Sequence, residues 1–124
     1  MCRITASFGR LILKNKGIYA VDAMRPVKIL IVDDSPLSRK GMRALLSTQP
    51  GLQVTGEASN GQEAVEQAGL LCPDVILMDA QMPCMDGLTA TRLVRERYPS
   101  IGVIILTMYV NYRQAALEAG AAAF

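Results

Sequence analysis

VILMDAQMPCMDG, residues 75–87, decides how this chain folds. Four apolar residues run without interruption into an aspartate. That pattern fits a short strand buried on both faces of a parallel sheet, better than the alternation of a half-exposed strand. The strand ends on Asp79. The loop from Ala80 to Asp86 holds Pro83, and Gly87 follows it. A helix is expected from about Leu88 to Tyr98, with Leu88, Thr91 and Val94 on one side and Pro99 ending it. Asp86 stands where a helix N-cap belongs.

The same strand–loop–helix unit repeats on either side. Upstream, Val27 to Val32 (VKILIV) is a second continuous apolar strand, and Ser35-Pro36 supplies an N-cap with proline at the first helical position. Leu37, Met42, Leu45 and Leu46 are expected on the inward face of that helix. Pro50-Gly51 marks a turn, and Leu52, Val54, Gly56 and Ala58 alternate as a strand does. Asn60-Gly61 opens a helix with Ala64, Val65, Ala68 and Leu71 inward, and Pro73 closes the connection. Downstream, Ile101 to Leu106 is another strand, ending at Thr107. A short helix around Gln114 to Ala119 stops at Gly120, and Ala121 to Phe124 begin a fifth strand. Alternating strands and helices predict a doubly wound parallel α/β sheet with right-handed crossovers.

Composition narrows the function classes. At 124 residues the chain holds one domain at most, and 51% hydrophobic residues suffice for one core. The formal net charge is +2. Arg3, Arg10, Lys14 and Lys16 lie in the first 23 residues against only Asp22, and from Met24 onward nine basic residues face ten acidic ones. No basic face for nucleic acid is expected. No apolar run reaches membrane-spanning length. Residues 1–23 are expected to be a disordered extension, with MRPVKILIVDD from Met24 reading as a natural start and 24–124 as the domain. Cys2, Cys72 and Cys84 are odd in number and form no CxxC pair, which argues for thiols in a reducing, cytoplasmic compartment. Cys72 is expected to pack and Cys84 to be an inert thiol in the loop after Asp79. The chain has no histidine, hence no imidazole base or metal ligand and no phosphohistidine of its own.

Ligands of open parallel sheets bind beyond the carboxyl ends of the strands. Asp33 and Asp34 follow the strand at 27–32, Asp79 ends the strand at 75–79, and Thr107 follows the strand at 101–106. In a flavodoxin-like strand order these ends are adjacent. Three carboxylates brought together repel one another, and a hard divalent cation such as Mg2+ relieves this with oxygen ligands. One carboxylate, Asp79, could then attack phosphorus, and Thr107 could bond a phosphoryl oxygen. Taken singly, an aspartate after a strand is more often a turn former or cap, and a threonine there is a β-branched strand residue. Their joint occurrence at successive strand ends favours a site.

ILIVDD at 29–34, VILMDAQMPCMDG at 75–87, VIILT at 103–107 and EAGAAAF at 118–124 together resemble a bacterial two-component response-regulator receiver domain. The resemblance is nearest to the subfamily that usually carries a LuxR-type helix-turn-helix output domain. It implies a (βα)5 fold of strand order 2-1-3-4-5. It implies Asp79 as phosphoacceptor, with Mg2+ held by Asp33, Asp34, Asp79 and the backbone carbonyl of Gln81. Thr107 and Phe124 fall at the switch positions. The implied partners are a sensor histidine kinase and an output domain or partner protein, with a second copy of the chain as a further candidate. The domain is a phosphoacceptor, not a stand-alone enzyme, and its role is expected in transcription regulation.

The sequence departs from the family at its end. The family's catalytic lysine lies beyond Phe124, so none is assigned here, and the last strand is expected to be incomplete and the final helix missing. Loss of such a charge can cost roughly 10²–10³ in rate. The segment between Thr107 and Gly120 is also shorter than usual. The alternative is therefore a truncated or degenerate receiver that binds a partner without phosphorylation. A Mg-dependent phosphohydrolase with an aspartate nucleophile is less favoured, because Gln81 stands where such enzymes place a second acid. A nucleotide-binding domain lacks its GxGxxG.

Overall fold

The computed structural model describes residues 11–14, 17–20, 25–82, 84–106 and 117–121. Their elements are strands β1 (Leu11–Lys14), β2 (Gly17–Ala20) and β3 (Val27–Val32), helix α1 (Pro36–Ser47), strand β4 (Leu52–Ala58), helix α2 (Gly61–Leu71), strand β5 (Val75–Asp79), helix α3 (Gly87–Arg97) and strand β6 (Gly102–Leu106).

From Val27 onward the strands form one parallel sheet in the order β4-β3-β5-β6. Counted from the first strand of this sheet, that is 2-1-3-4, as expected of a flavodoxin-like fold. The expected fifth strand falls mostly on residues outside the described ones, and so does most of the helix before it. Gly120 has φ +103, which suits a glycine just beyond a helix end.

The turn chemistry works as the sequence suggests. Ser35 caps α1, its hydroxyl accepting from the Ser38 N–H at 3.2 Å, with Pro36 following at the first helical position. Asn60 caps α2 by accepting from Glu63 N–H at 2.9 Å, and Asp86 caps α3 by accepting from Thr89 N–H at 2.8 Å. The β3–β4 pairing slips by one residue between Ile29 and Leu30, leaving Thr55 outside the ladder, where its hydroxyl donates to the Ile29 carbonyl at 3.3 Å.

One face of the sheet is sealed. Leu30, Ile76, Met78, Val103 and Ile105 meet Ala64 and Ala68 of α2 and Ala90 and Val94 of α3 in a continuous core. The alanines let these helices lie close on the sheet. The other face is covered less completely. α1 lies over it beside β3 and β4, yet contains no fully buried residue. Here one expectation is corrected. Leu37 is 79% and Leu45 64% exposed. The stripe turned inward is Arg39, Met42 and Leu46, each half-buried, spaced three and four residues apart as one helix face requires. On this inward stripe Arg39 bonds partners on β4 and on the loop after β3.

Leu11–Lys14 and Gly17–Ala20 pair antiparallel as a two-stranded sheet, Leu11 opposite Ala20 and Lys14 opposite Gly17. β-Favouring residues on either side of a two-residue connection explain the pairing. A lone hairpin of this size is marginal in water. Cys72, expected to pack as a thiol, is disulfide-bonded. It also ends α2 in the left-handed region, with φ 46 and ψ 57.

At the end of the sheet remote from the acids, Asp74 is 6% exposed. Its carboxylate accepts from the Lys28 N–H at 2.8 Å, its own N–H donates to the Lys28 carbonyl at 2.8 Å, and its carbonyl accepts from the Gly102 N–H at 3.0 Å. One residue thus ties β3, β5 and β6 together before the ladder begins. Asp74→Ala leaves the Lys28 N–H without this acceptor. We expect a loss of about 1–3 kcal/mol in urea unfolding, with a smaller loss for Asp74→Asn, which keeps an acceptor oxygen.

Candidate functional site

β3 and β5 are adjacent and parallel, so the residues that end them leave the sheet at the same edge. That places Asp33, Asp34 and Asp79 together. One carboxylate oxygen from each lies within 4.8 Å of the others. Asp34 is exposed, while Asp33 and Asp79 are half-buried.

Asp33 is fixed at three atoms. Its N–H donates to the Ala58 carbonyl at 3.1 Å. Its carboxylate accepts from the Ser35 N–H at 2.9 Å, the short turn that leads into α1. Its carbonyl accepts from Arg39 Nη1 at 2.6 Å. Asp79 is held by its strand, where it lies opposite Leu106, and its carboxylate accepts from the Gln81 N–H at 3.2 Å.

The loop after Asp79 folds back over the site through two glycines. The Gly87 N–H donates to the Ala80 carbonyl at 3.1 Å, and a Cβ on Gly87 would stand 2.0 Å from the Asp79 carbonyl oxygen. The Gly61 N–H donates to the Met85 carbonyl at 3.1 Å, and a Cβ there would stand 2.3 Å from that oxygen. Both positions exclude any side chain. Gly87 was read from the sequence as loop-shaping. The packing role of Gly61 was not, since Asn60-Gly61 signals only a helix start. Arg39 was also missed; its one sequence signal is a cation at helical spacing from Met42 and Leu46.

The Asp79 carboxyl is pushed above the ordinary aspartate range. Burial is the main cause, and the Asp33 and Asp34 charges add to it. The Gln81 and Ala80 N–H groups pull in the opposite direction. An open cavity of about 710 Å³ is lined by these carboxylates, by Leu106 beside Asp79, and by Gly41, Met42 and Leu45 of α1. Gln81 meets Asp79 through its N–H. Thr107, Phe124 and Pro83 lie outside the described residues. Asp86 serves as a cap, as expected, and Cys84 is free and exposed.

The donor set fits a small hard cation. Adjacent oxygens about 2.1 Å from one octahedral ion stand about 3 Å apart, so carboxylate oxygens within 4.8 Å of one another draw together by up to about 1.8 Å to share it. A divalent charge would also offset the repulsion that raises Asp79.

Residues 29–124 match the family model described as the response regulator receiver domain. Response regulator protein VraR of Staphylococcus saprophyticus is 43% identical over 97 residues, covering 77% of this chain and 46% of that protein. A protein-glutamate methylesterase/protein-glutamine glutaminase of Alkalilimnicola ehrlichii is 46% identical over 101 residues, covering 79% of this chain and 26% of that protein. The chain thus spans between about a quarter and a half of the length of these relatives. Among solved structures, the signal receiver domain of the putative response regulator NarL from Mycobacterium tuberculosis superimposes with TM-score 0.76 at 34% identity, covering 81% of this chain and 82% of that one. The response regulator domain of Thermotoga maritima CheB does so with TM-score 0.71 at 35% identity, covering 81% and 77%.

The raised Asp79 has a consequence for stability. A carboxyl whose folded pKa lies above its unfolded one favours the fold at pH below the unfolded value, and that contribution is lost as pH rises through the folded value. Asp79→Asn removes the penalty of the ionised form. We expect its melting temperature to exceed that of the parent chain at pH 7, and the difference to shrink as pH falls through the elevated Asp79 titration and to be gone below about 4.

Proposed function

This chain belongs to the response-regulator receiver family, and from that premise we propose that it takes a phosphoryl group onto Asp79 from a sensor histidine kinase. The observation that carries the reading is the meeting of Asp33, Asp34 and a desolvated Asp79 at one sheet edge. Asp33, Asp34, Asp79 and the backbone carbonyl of Gln81 would hold Mg2+. When bound, that ion neutralises charge on the phosphoryl oxygens and on the crowded carboxylates.

The chain's own residues do the rest. A carboxylate oxygen of Asp79 attacks phosphorus, forming an acyl phosphate as the bond from phosphorus to the donor's imidazole nitrogen breaks and the electron pair leaves with the imidazole. Only the ionised form is a nucleophile, so the cause that raises Asp79 also makes its oxygen more basic. The Gln81 N–H holds the carboxylate in place, and the close packing of Gly87 on the Asp79 carbonyl fixes the backbone from which it projects. Thr107 would bond a phosphoryl oxygen, and its movement with Phe124 would relay the roughly −1.5 to −2 added charge to a partner or output domain.

The output is proposed in transcription regulation, following the VraR and NarL likenesses; the methylesterase likeness covers about a quarter of that enzyme. No described helix is long and apolar enough to cross a membrane. We place the chain in the cytoplasm with the kinase's phosphoryl donor, and the Cys72 disulfide is the observation that pulls the other way. A second reading, partner binding without phosphorylation, is favoured by the exposed Leu37 and by the exposed Leu45, which lines the cavity. That partner could be a second copy of the chain.

Incubation with acetyl phosphate and Mg2+, followed by intact-mass measurement, separates the two readings. We expect one phosphoryl adduct, lost with a chelator and in Asp79→Asn. The yield should rise with pH through the elevated Asp79 titration. An unmodified mass under all conditions leaves only the partner-binding reading.

A further inference from the structure

Arg39 stands on the inward stripe of α1, where its companions Met42 and Leu46 are apolar. Its side chain is only 17% exposed. The guanidinium makes two directed bonds. Nε donates to Glu57 Oε1 at 3.0 Å, and Nη1 donates to the Asp33 carbonyl at 2.6 Å. Glu57 lies near the end of β4, opposite Ile31, and is braced from its other side by Arg43, whose Nε donates to Glu57 Oε2 at 2.7 Å. The fork therefore spans from an outer strand to the loop that carries two of the three acids.

We propose that Arg39 is a positioning residue for the cation site, holding the Asp33–Asp34 backbone so that both carboxylates keep their approach to Asp79. The proposal rests on reading these carboxylates as a Mg2+ site. The Arg39 charge is not what serves the site, because a fixed cation near the acids opposes the binding of a second one. What serves it is geometry. A planar guanidinium reaches Glu57 and the Asp33 carbonyl at once, whereas an ammonium is a single point of charge. The two contributions have opposite signs, so they can be told apart.

The test is a titration of the full chain with MgCl2 alone at constant ionic strength. It follows the backbone amide NMR signals near Asp33, Asp34 and Ala80. Arg39→Gln and Arg39→Lys are both expected to weaken Mg2+ binding about tenfold while the spectra remain dispersed. Glu57→Gln leaves the bond to Asp33 but loosens the far end of the fork, and a smaller weakening is expected. It also gives the decision if the Arg39 variants do not fold. Unchanged affinity in folded variants with lowered melting temperatures would reduce Arg39 to a strut of the fold and overturn the proposal. Tighter binding in Arg39→Gln with parental binding in Arg39→Lys would overturn it in favour of charge. No response of the parent chain to MgCl2 would instead remove the metal reading itself.

Discussion

Three carboxylates held with oxygens within 4.8 Å of one another cannot all ionise without cost, and most of what surrounds them in this chain keeps them there. Parallel strands β3 and β5 run side by side and end at the same edge. Each strand is apolar throughout its core-facing positions, so neither can slip without exposing its buried residues. The acids are therefore positioned by the hydrophobic register of the sheet, which their mutual repulsion is too weak to undo. Burial then concentrates the conflict on Asp79. A divalent cation and a phosphoryl group are the occupants we propose for a site arranged in this way.

The local devices serve the same end. Gly61 and Gly87 let the loop after Asp79 return across the strand ends, since any side chain at either place would meet backbone. Ser35 and Arg39 bind Asp33 through its carboxylate and its carbonyl, and Ala58 binds it through its N–H. Thus α1 contributes to the site from its first turns. The rest of that helix leaves Leu37 and Leu45 exposed. The face beneath α1 is the less covered side of the sheet, and residues of α1 line the open cavity together with the acids.

Much of this was legible in the sequence. VKILIV and VILM read as strands, each running into aspartate, and the parallel order follows from their alternation with helices; the expected burial of VILM on both faces does not hold, since Val75 and Leu77 are half-buried where Ile76 and Met78 are fully buried. Caps at Ser35, Asn60 and Asp86 were visible because their side chains bond only their own neighbours. What could not be read depends on partners distant in sequence. The face of α1 that turns inward includes Arg39, which meets Glu57 eighteen positions on, while Leu37 and Leu45 stay exposed, a choice that the leucine spacing alone does not reveal. The slip that leaves out Thr55 arises from the pairing of two strands, and the alternation of either strand alone does not show it. The need for glycine at position 61 comes from Met85, on a different loop. The pairing of Leu11–Lys14 with Gly17–Ala20 leaves little trace in the sequence, because its apolar pieces are short.

The central claim is that Asp33, Asp34 and Asp79 form one electrostatic unit completed by a cation. Its most direct measurement is a pH titration of the aspartate side-chain carboxyl carbons by NMR, with and without MgCl2. The account predicts that the Asp79 carboxyl titrates above the ordinary aspartate range without metal. It should fall when Asp33 or Asp34 is changed to asparagine, and fall further with Mg2+ present. An Asp79 that titrates as an ordinary aspartate and ignores both changes would contradict the account.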